Sequence, residues 1–323
     1  MRHCHTPLAN RGAWPRAPRD RAASSPHCPG RCASRWKILP RPRRICNVRP
    51  SGVITLLTDF GLADFFVGAM KGVILSIHRE ATIVDLTHLI PPQDIWGAAL
   101  TLAESSRTFP EGTIHVAVVD PGVGSKRRAV LIETARAFFV GPDNGLFTLA
   151  LEDDPPQRVI HITNERFFRH PVSRTFHGRD VFAPVAAWLA RGIPPSEFGP
   201  EIANVVRLPI PPVEQLSETH WRGQVIHVDR FGNLITNVTT RDVPLEALRE
   251  GGKLLVNGHE VSALRTHYQE AAEGEVFALI GSTGRVEIAI RQGSAATALG
   301  VDRGATVEIL LPRGGPTAPA RDR

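Results

Sequence analysis

The sequence predicts an α/β chain in which an N-terminal, mostly parallel sheet with flanking helices precedes a small C-terminal antiparallel β-barrel or sandwich domain. Two observations carry this expectation. From Val53 to Arg191, short apolar runs alternate with stretches of helical apolar spacing, the pattern of a parallel sheet covered on both faces. Beyond the proline-rich "LPIPPVEQL" (208–216), strand patterns follow one another with almost no helix between them.

In chain order, "VITLLTD" (53–59) reads as a buried strand, and residues 66–77 have helical spacing. "TIVDLT" (82–87) reads as a second strand, Asp94 as the cap of a helix through Ala103, and "TIHVAVVD" (113–120) as a third strand. Strands near 129–134 and 137–140 and a helix over 181–191 complete the first domain, 53–207, with 208–216 as linker. In the second domain, 217–312, residues 223–238 form two strands about a turn at Phe231 to Asn233, and 253–261 carries an Asn-Gly hairpin signal. Strands near 275–280, 285–290 and 305–311 follow.

Charge divides the chain more sharply than its formal +6 indicates. Residues 1–50 hold twelve of the 38 Lys and Arg but one of the 32 acids, so a +11 arm precedes a −5 remainder. The arm lacks apolar periodicity and a signal-type apolar run, and disorder is expected there and in the tail, 313–323. All four cysteines lie in the arm, so the remainder has neither disulfide nor thiolate chemistry. "HCPGRC" (27–32) has no second cysteine pair and is a poor zinc pattern. The acidic remainder gives no electrostatic reason to expect nucleic acid, and no stretch is long and apolar enough for a membrane helix, so a cytoplasmic protein is expected.

Open α/β sheets bind ligands outside the carboxyl ends of their strands. Three predicted strands end near aspartates: Asp59 in "TDFG", Asp85 in "VDLTH" and Asp120 in "VDPGVG". Each has a plainer role open to it, as a helix cap or a satisfied structural carboxylate. "VVDPGVGSKRRA" (118–129) invites a phosphate-cradle reading, but its spacing fits neither dinucleotide nor P-loop patterns.

Seven stretches occur in order: "TDFGLADFFVGAMKG" (58–72), "IVDLTHLIPPQDI" (83–95), "HVAVVDPGVGSKRRA" (115–129), "VGPDNGL" (140–146), "TFHGRDVFAP" (175–184), "DRFGNLITN" (229–237) and "EIAIRQGSAA" (287–296). Together they resemble the S-adenosyl-L-methionine (SAM) hydroxide adenosyltransferases, the adenosine-forming SAM hydrolases related to fluorinase and chlorinase. The resemblance covers roughly residues 53–312. It implies an N-terminal α/β domain, a C-terminal antiparallel β-barrel, and a homotrimer with sites between one subunit's large domain and its neighbour's small one. SAM is then the substrate, with no cofactor and no metal.

By position, the resemblance implies that Asp120, Arg127 and His177 hold the attacking water, with Gly122 and Gly124 letting the loop fold Arg127 back onto Asp120. Asp59 matches the ribose-diol ligand, Asp64 the residue facing the methionine ammonium, Phe231 and Asn233 the adenine contacts, and Ser282 the methionine-carboxylate contact. Gln93 and Arg291 depart from the pattern, Gln93 where fluorinase is aromatic and Arg291 where asparagine is usual. The chemistry suits these residue types. A sulfonium leaves as a neutral thioether, so the reaction needs an aimed, desolvated water rather than an acid or a metal. Arg127 would keep Asp120 ionised, and His177 is expected to receive the proton. Two other reactions fit less well. A halogenase of this type carries tyrosine where Asp120 stands, and a metal-dependent hydrolase would draw on Asp59, Asp120, Asp143 and His177. A non-enzymatic SAM sensor would bind without turnover.

Overall fold

The computed structural model describes residues 48–261 and 263–312; the disorder expected of 1–50, as far as residue 47, and of 313–323 lies outside the described residues. Residues 48–50, assigned with the arm by composition, are tied to the fold: Val48 packs on the core and Ser51 N–H donates to the Gly112 carbonyl.

The first sheet contains β1 (Val53–Thr58), β2 (Thr82–Thr87), β3 (Thr113–Val118), β4 (Ala129–Glu133), β5 (Ala137–Pro142) and β6 (Arg158–His161), in spatial order β2-β1-β3-β5-β4-β6. β2, β1, β3 and β5 are parallel, while β4 runs antiparallel to both its neighbours. β3 is buried at every residue, as a strand covered on both faces must be. One face packs on α1 (Phe66–Ile77) and α4 (Ala183–Ala190) through Met70, Ile74, Val185 and Leu189. The other packs on α2 (Ile95–Ser106) and the short α3 (Ala150–Asp153) through Ala98, Leu102 and Leu151. Asp94 caps α2 as expected, accepting from Gly97 N–H at 3.1 Å.

The second sheet is antiparallel throughout its pairings and nearly closes on itself. It contains β7 (Glu214–Ser217), β8 (His220–Val228), β9 (Leu234–Thr239), β10 (Lys253–Val256), β11 (His259–Val261), β12 (Val276–Ile280), β13 (Arg285–Ile290) and β14 (Thr306–Leu310). The order is β11-β10-β14-β8-β9-β13-β12, with β7 on β8. Ala263 and Arg265 exchange backbone hydrogen bonds with Ala278 of β12, bringing the two ends together. Asn257 and Gly258 turn the β10–β11 hairpin with φ of 51° and 84°, the primed turn that its sequence specifies. α5 (Ala295–Leu299) lies between β13 and β14. The two sheets meet where Trp96 Nε1–H donates to the Ile226 carbonyl at 3.1 Å and Arg303 reaches Asp94 at 2.7 Å.

Several elements depart from the sequence expectation, the short helices α3 and α5 among them. β6 has four residues, too few to show a period. β7 is an exposed edge strand within and beside the stretch read as linker, and its "EQLS" has no apolar face to reveal it. The helix expected over 181–191 begins earlier, as a π-helical turn at Gly178–Phe182 that leads into α4.

His115 of β3 is fully buried, with Nδ1 2.8 Å from Thr55 Oγ1 and its ring stacked on Phe139. Burial pushes its pKa from the ordinary 6.5 down to about 4. Unfolding frees this imidazole to take a proton, so its contribution to stability is complete above pH 6.5 and declines as pH falls towards 4. At about 1.4 kcal/mol per pH unit, the full effect is about 3 kcal/mol. Chemical unfolding at pH 7 and pH 4.5 should show the wild type losing more stability than His115→Gln. An equal loss in the two proteins would show that His115 does not titrate on unfolding.

Candidate active site

The carboxyl ends of β1 and β3 and the turn before α4 converge on a cavity of about 440 Å³. Asp59 and Phe60 line it from the end of β1, Asp120, Pro121 and Val123 from beyond β3, and Phe176, His177 and Gly178 from the turn. Phe60, Phe66 and Phe176 pack edge-on or tilted against one another, forming an apolar wall.

Arg127 ties the polar side of the cavity together. Its Nε donates to Asp120 Oδ1 and Oδ2 at 2.9 and 3.0 Å, and its Nη2 donates to Oδ2 at 2.5 Å. The same Nη2 lies 2.8 Å from His177 Nδ1. The side chains of Arg127 and Asp120 are only 10% and 5% exposed, so this pair is largely withdrawn from water. The Arg127 guanidinium also lies 5.3 Å from the Phe182 ring centroid. A planar fork of this kind fixes direction as well as charge.

The loop that returns Arg127 to Asp120 needs its two glycines differently. Gly124 has φ of +76°, and a Cβ there would lie 2.3 Å from the Arg174 carbonyl oxygen. Gly122 has no positive φ, and a Cβ there would meet the Arg127 Cγ at an ordinary 3.4 Å. The backbone requirement expected of both therefore rests on Gly124.

His177 opens the π-helical turn at Gly178–Phe182, an irregularity common at functional sites. Buried Asp180 fixes this turn by accepting from Ser173 N–H, Arg179 and Arg169. Partial burial, followed by the positive field of Arg127, holds the His177 pKa below 6.5, against the opposing pull of Asp120 and Asp180. The imidazole is thus neutral at pH 7. Arginine has no acceptor, so its contact assigns the lone pair to Nδ1 and the ring proton to Nε2. In this arrangement the imidazole presents a donor at Nε2.

Asp59 Oδ2 accepts from Gln93 N–H at 2.8 Å, and Gln93 lines the same cavity with φ of 67°. Phe231 and Asn233 line a different cavity, of about 670 Å³, in the second sheet. Phe231 is 76% exposed, whereas Asn233 is buried and held by Asp229 through its backbone N–H and its amide. Arg291, also on this cavity, donates to the Ala271 carbonyl at 2.9 Å. Asp64 and Ser282 are exposed, Asp64 before α1 and Ser282 in the β12–β13 turn, and line neither cavity. A single chain therefore gathers Asp59, Asp120, Arg127 and His177 into one group and Phe231 and Asn233 into another.

The family model for the SAM hydroxide adenosyltransferase N-terminal domain matches residues 54–199, and that for the C-terminal domain matches 223–308. The chain belongs to the SAM hydroxide adenosyltransferase family. It is 42% identical over 266 residues to the (R)-S-adenosyl-L-methionine hydrolase of Thermus thermophilus, covering 80% of this chain and 99% of that one. It is more distantly similar to the fluorinase of Nocardia brasiliensis, 25% identical over 80% of this chain and 97% of the relative. Among solved structures it resembles an uncharacterized conserved protein from Thermotoga maritima, with a TM-score of 0.73 and 34% identity over 80% of this chain and 99% of that one. In this SAM hydroxide adenosyltransferase the sequence reading missed Tyr268, which shares the second cavity with Phe231 and donates to Glu287 at 3.2 Å. Its one signal was being the chain's single tyrosine.

The charge arrangement has a direct readout by NMR titration of His177. The wild type should titrate below 6.5, Arg127→Met should raise the pKa by removing a repelling cation, and Asp120→Ala should lower it further. Shifts of the opposite sign would contradict the arrangement.

Proposed function

We propose that this protein hydrolyses S-adenosyl-L-methionine to adenosine and L-methionine, with a water molecule displacing methionine at the ribose C5′. The observation that carries this reading is the Arg127 bridge, which holds a carboxylate and a neutral imidazole side by side in a cavity that also contains Asp59. The name of the Thermus relative specifies the R epimer, and with L-methionine fixing the α-carbon that label falls on the sulfonium.

The oxygen of water forms a bond to C5′ as the C5′–S bond breaks and its electron pair returns to sulfur. Methionine leaves neutral, so no general acid is needed. The proton lost from the attacking oxygen goes to Asp120, whose carboxylate oxygens keep lone pairs beyond those that Arg127 occupies, and then to solvent. A weak base suffices, because an alcohol oxygen still carrying its extra proton is a strong acid. His177 Nε2–H, as a donor, and Asp120, as an acceptor, together define one orientation of the water. Pairing Arg127 with Asp120 also spares the sulfonium from an uncompensated cation.

We assign Asp59 to the ribose diol, Asp64 to the methionine ammonium, Phe231 and Asn233 to adenine, and Ser282 to the methionine carboxylate. Because these residues fall on two cavities, we propose that a neighbouring copy completes each site in a homotrimer. Support comes from Leu62, Phe65, Leu89 and Phe231, which each expose 64–76% of their surface in the single chain. We propose a cytoplasmic enzyme; among the described residues no helix is long and apolar enough to cross a membrane.

A reaction without metal is supported by how the carboxylates are engaged. Asp120 is forked by Arg127, while Asp143 receives Arg128 on Oδ2 and Val206 N–H on Oδ1. Each carboxylate already has a guanidinium against it, and a second cation beside that guanidinium would be repelled. Asp120 likewise separates this site from halide chemistry, since a carboxylate beside the nucleophile repels an anion.

Turnover in ¹⁸O-water with a chelator present should give L-methionine and adenosine labelled at the 5′ oxygen. Unlabelled adenosine, methylthioadenosine, or complete loss of activity with the chelator would overturn the mechanism. His177→Ala should lower kcat by about 10²-fold, the scale of a misplaced reactant. Combined with Asp120→Ala, the loss should be less than additive, because both residues hold one water.

A further inference from the structure

We propose that Thr58, His88 and Asp85 form a polar relay that positions Asp59, an inference that rests on the assignment of Asp59 to the ribose diol. Asp85 and His88 belong to the "VDLTH" stretch and line no part of the proposed reaction cavity. Their contacts nevertheless lead to it.

Thr58 is fully buried at the end of β1, and His88 is 3% exposed just beyond β2. Thr58 Oγ1 accepts from Phe60 N–H at 3.2 Å and lies 2.9 Å from His88 Nδ1. Asp85 Oδ1 faces Nε2 and can only accept, so Nε2 carries a ring proton and Nδ1 accepts from the Thr58 hydroxyl. Nε2 lies 3.0 Å from Asp85 Oδ1, at ion-pair distance but out of line for a hydrogen bond. At the surface Lys71 Nζ completes the row, 2.6 Å from Asp85 Oδ2. Although partial burial pulls the other way, Lys71 and His88 together hold the Asp85 pKa below the usual carboxylate value.

The backbone explains how these groups meet. The β1–β2 register shifts between Leu56 and Leu57, which pair with Asp85 and Thr87, so Leu86 is an extra residue on β2. Such a bulge re-aims the side chains that follow it, and continuing the shifted register brings Thr58 beside His88. A buried threonine and histidine cost stability unless their polar atoms are matched, and valine would fill the Thr58 position without that requirement.

The relay grips the turn around Asp59 on both sides. Before Asp59, the Thr58 hydroxyl is held by the His88 ring; after it, Gly61 N–H donates to the His88 carbonyl at 2.8 Å. The segment beyond His88 then supplies Gln93 N–H to Asp59 Oδ2. His88 therefore sets the direction of the Asp59 carboxylate while remaining out of substrate contact, as a positioning residue.

The test uses SAM and its 2′-deoxyribose analogue with the full-length wild type, Thr58→Val, Thr58→Ser and Asp85→Ala. A ribose contact made equally in ground and transition states changes KM rather than kcat. Thr58→Val should raise KM for SAM about tenfold, the scale of one hydrogen bond to a charged group. Its kcat should stay within about threefold, and Thr58→Ser should restore the wild-type KM. With the deoxy analogue, the penalty of Thr58→Val should largely vanish. Asp85 is partly exposed and tolerates truncation, so Asp85→Ala, with a smaller KM rise of the same substrate dependence, decides the matter if Thr58→Val fails to fold. A wild type indifferent to the 2′-hydroxyl would overturn the Asp59 assignment and the relay with it. A discriminating wild type whose variants show equal penalties on both substrates, or unchanged KM, would overturn the relay alone.

Discussion

The Arg127 guanidinium is the constraint on which the rest of the site depends. One planar group reaches both oxygens of Asp120 and the Nδ1 of His177, fixing a carboxylate and an imidazole relative to each other without either touching the other directly. Because arginine can only donate, it also fixes hydrogen-bond direction: Asp120 accepts from it, and His177 turns its ring proton outward on Nε2. A water between an acceptor and a donor has little rotational freedom left. For a substrate whose leaving group departs neutral, that orientation is most of what the protein has to supply.

The fold delivers this arrangement through the ends of adjacent parallel strands. β1 and β3 are neighbours in the first sheet, so Asp59 and Asp120, just beyond their ends, emerge side by side. Local irregularities then set the side chains. Gly124 closes the return of Arg127, the bulge at Leu86 brings His88 under the Asp59 turn, and the π-helical turn presents His177. Buried polar side chains beneath these turns, Asp180 and Thr58 among them, hold backbone that regular ladders leave free.

Much of this was legible in the sequence because it follows from burial. β1, β2, β3 and α1 match the apolar runs to within two residues, and Asp94 caps α2 where its residue type indicated. The grouping of Asp120, Arg127 and His177 came through ordered motifs, since a separation of fifty residues between Arg127 and His177 leaves no local periodicity to read. What was not legible depends on single dihedrals and hydrogen-bond directions. The bulge adds one residue to a strand that otherwise alternates normally. The His177 tautomer depends on which ring nitrogen faces Arg127, a fact of geometry alone. Phe231 and Asn233, which the resemblance assigns to the small-domain side of a site between subunits, line a second cavity in the single chain.

A crystal structure with an unreactive analogue bound, in which carbon replaces the sulfonium sulfur, tests the central claim most directly. One ordered water is expected there, hydrogen-bonded to both Asp120 and His177 Nε2, about 3–3.5 Å from C5′ and opposite the bond to the replaced sulfur. A water held by other groups, or Asp120 and His177 turned away from C5′ with Arg127 still bridging them, would contradict it.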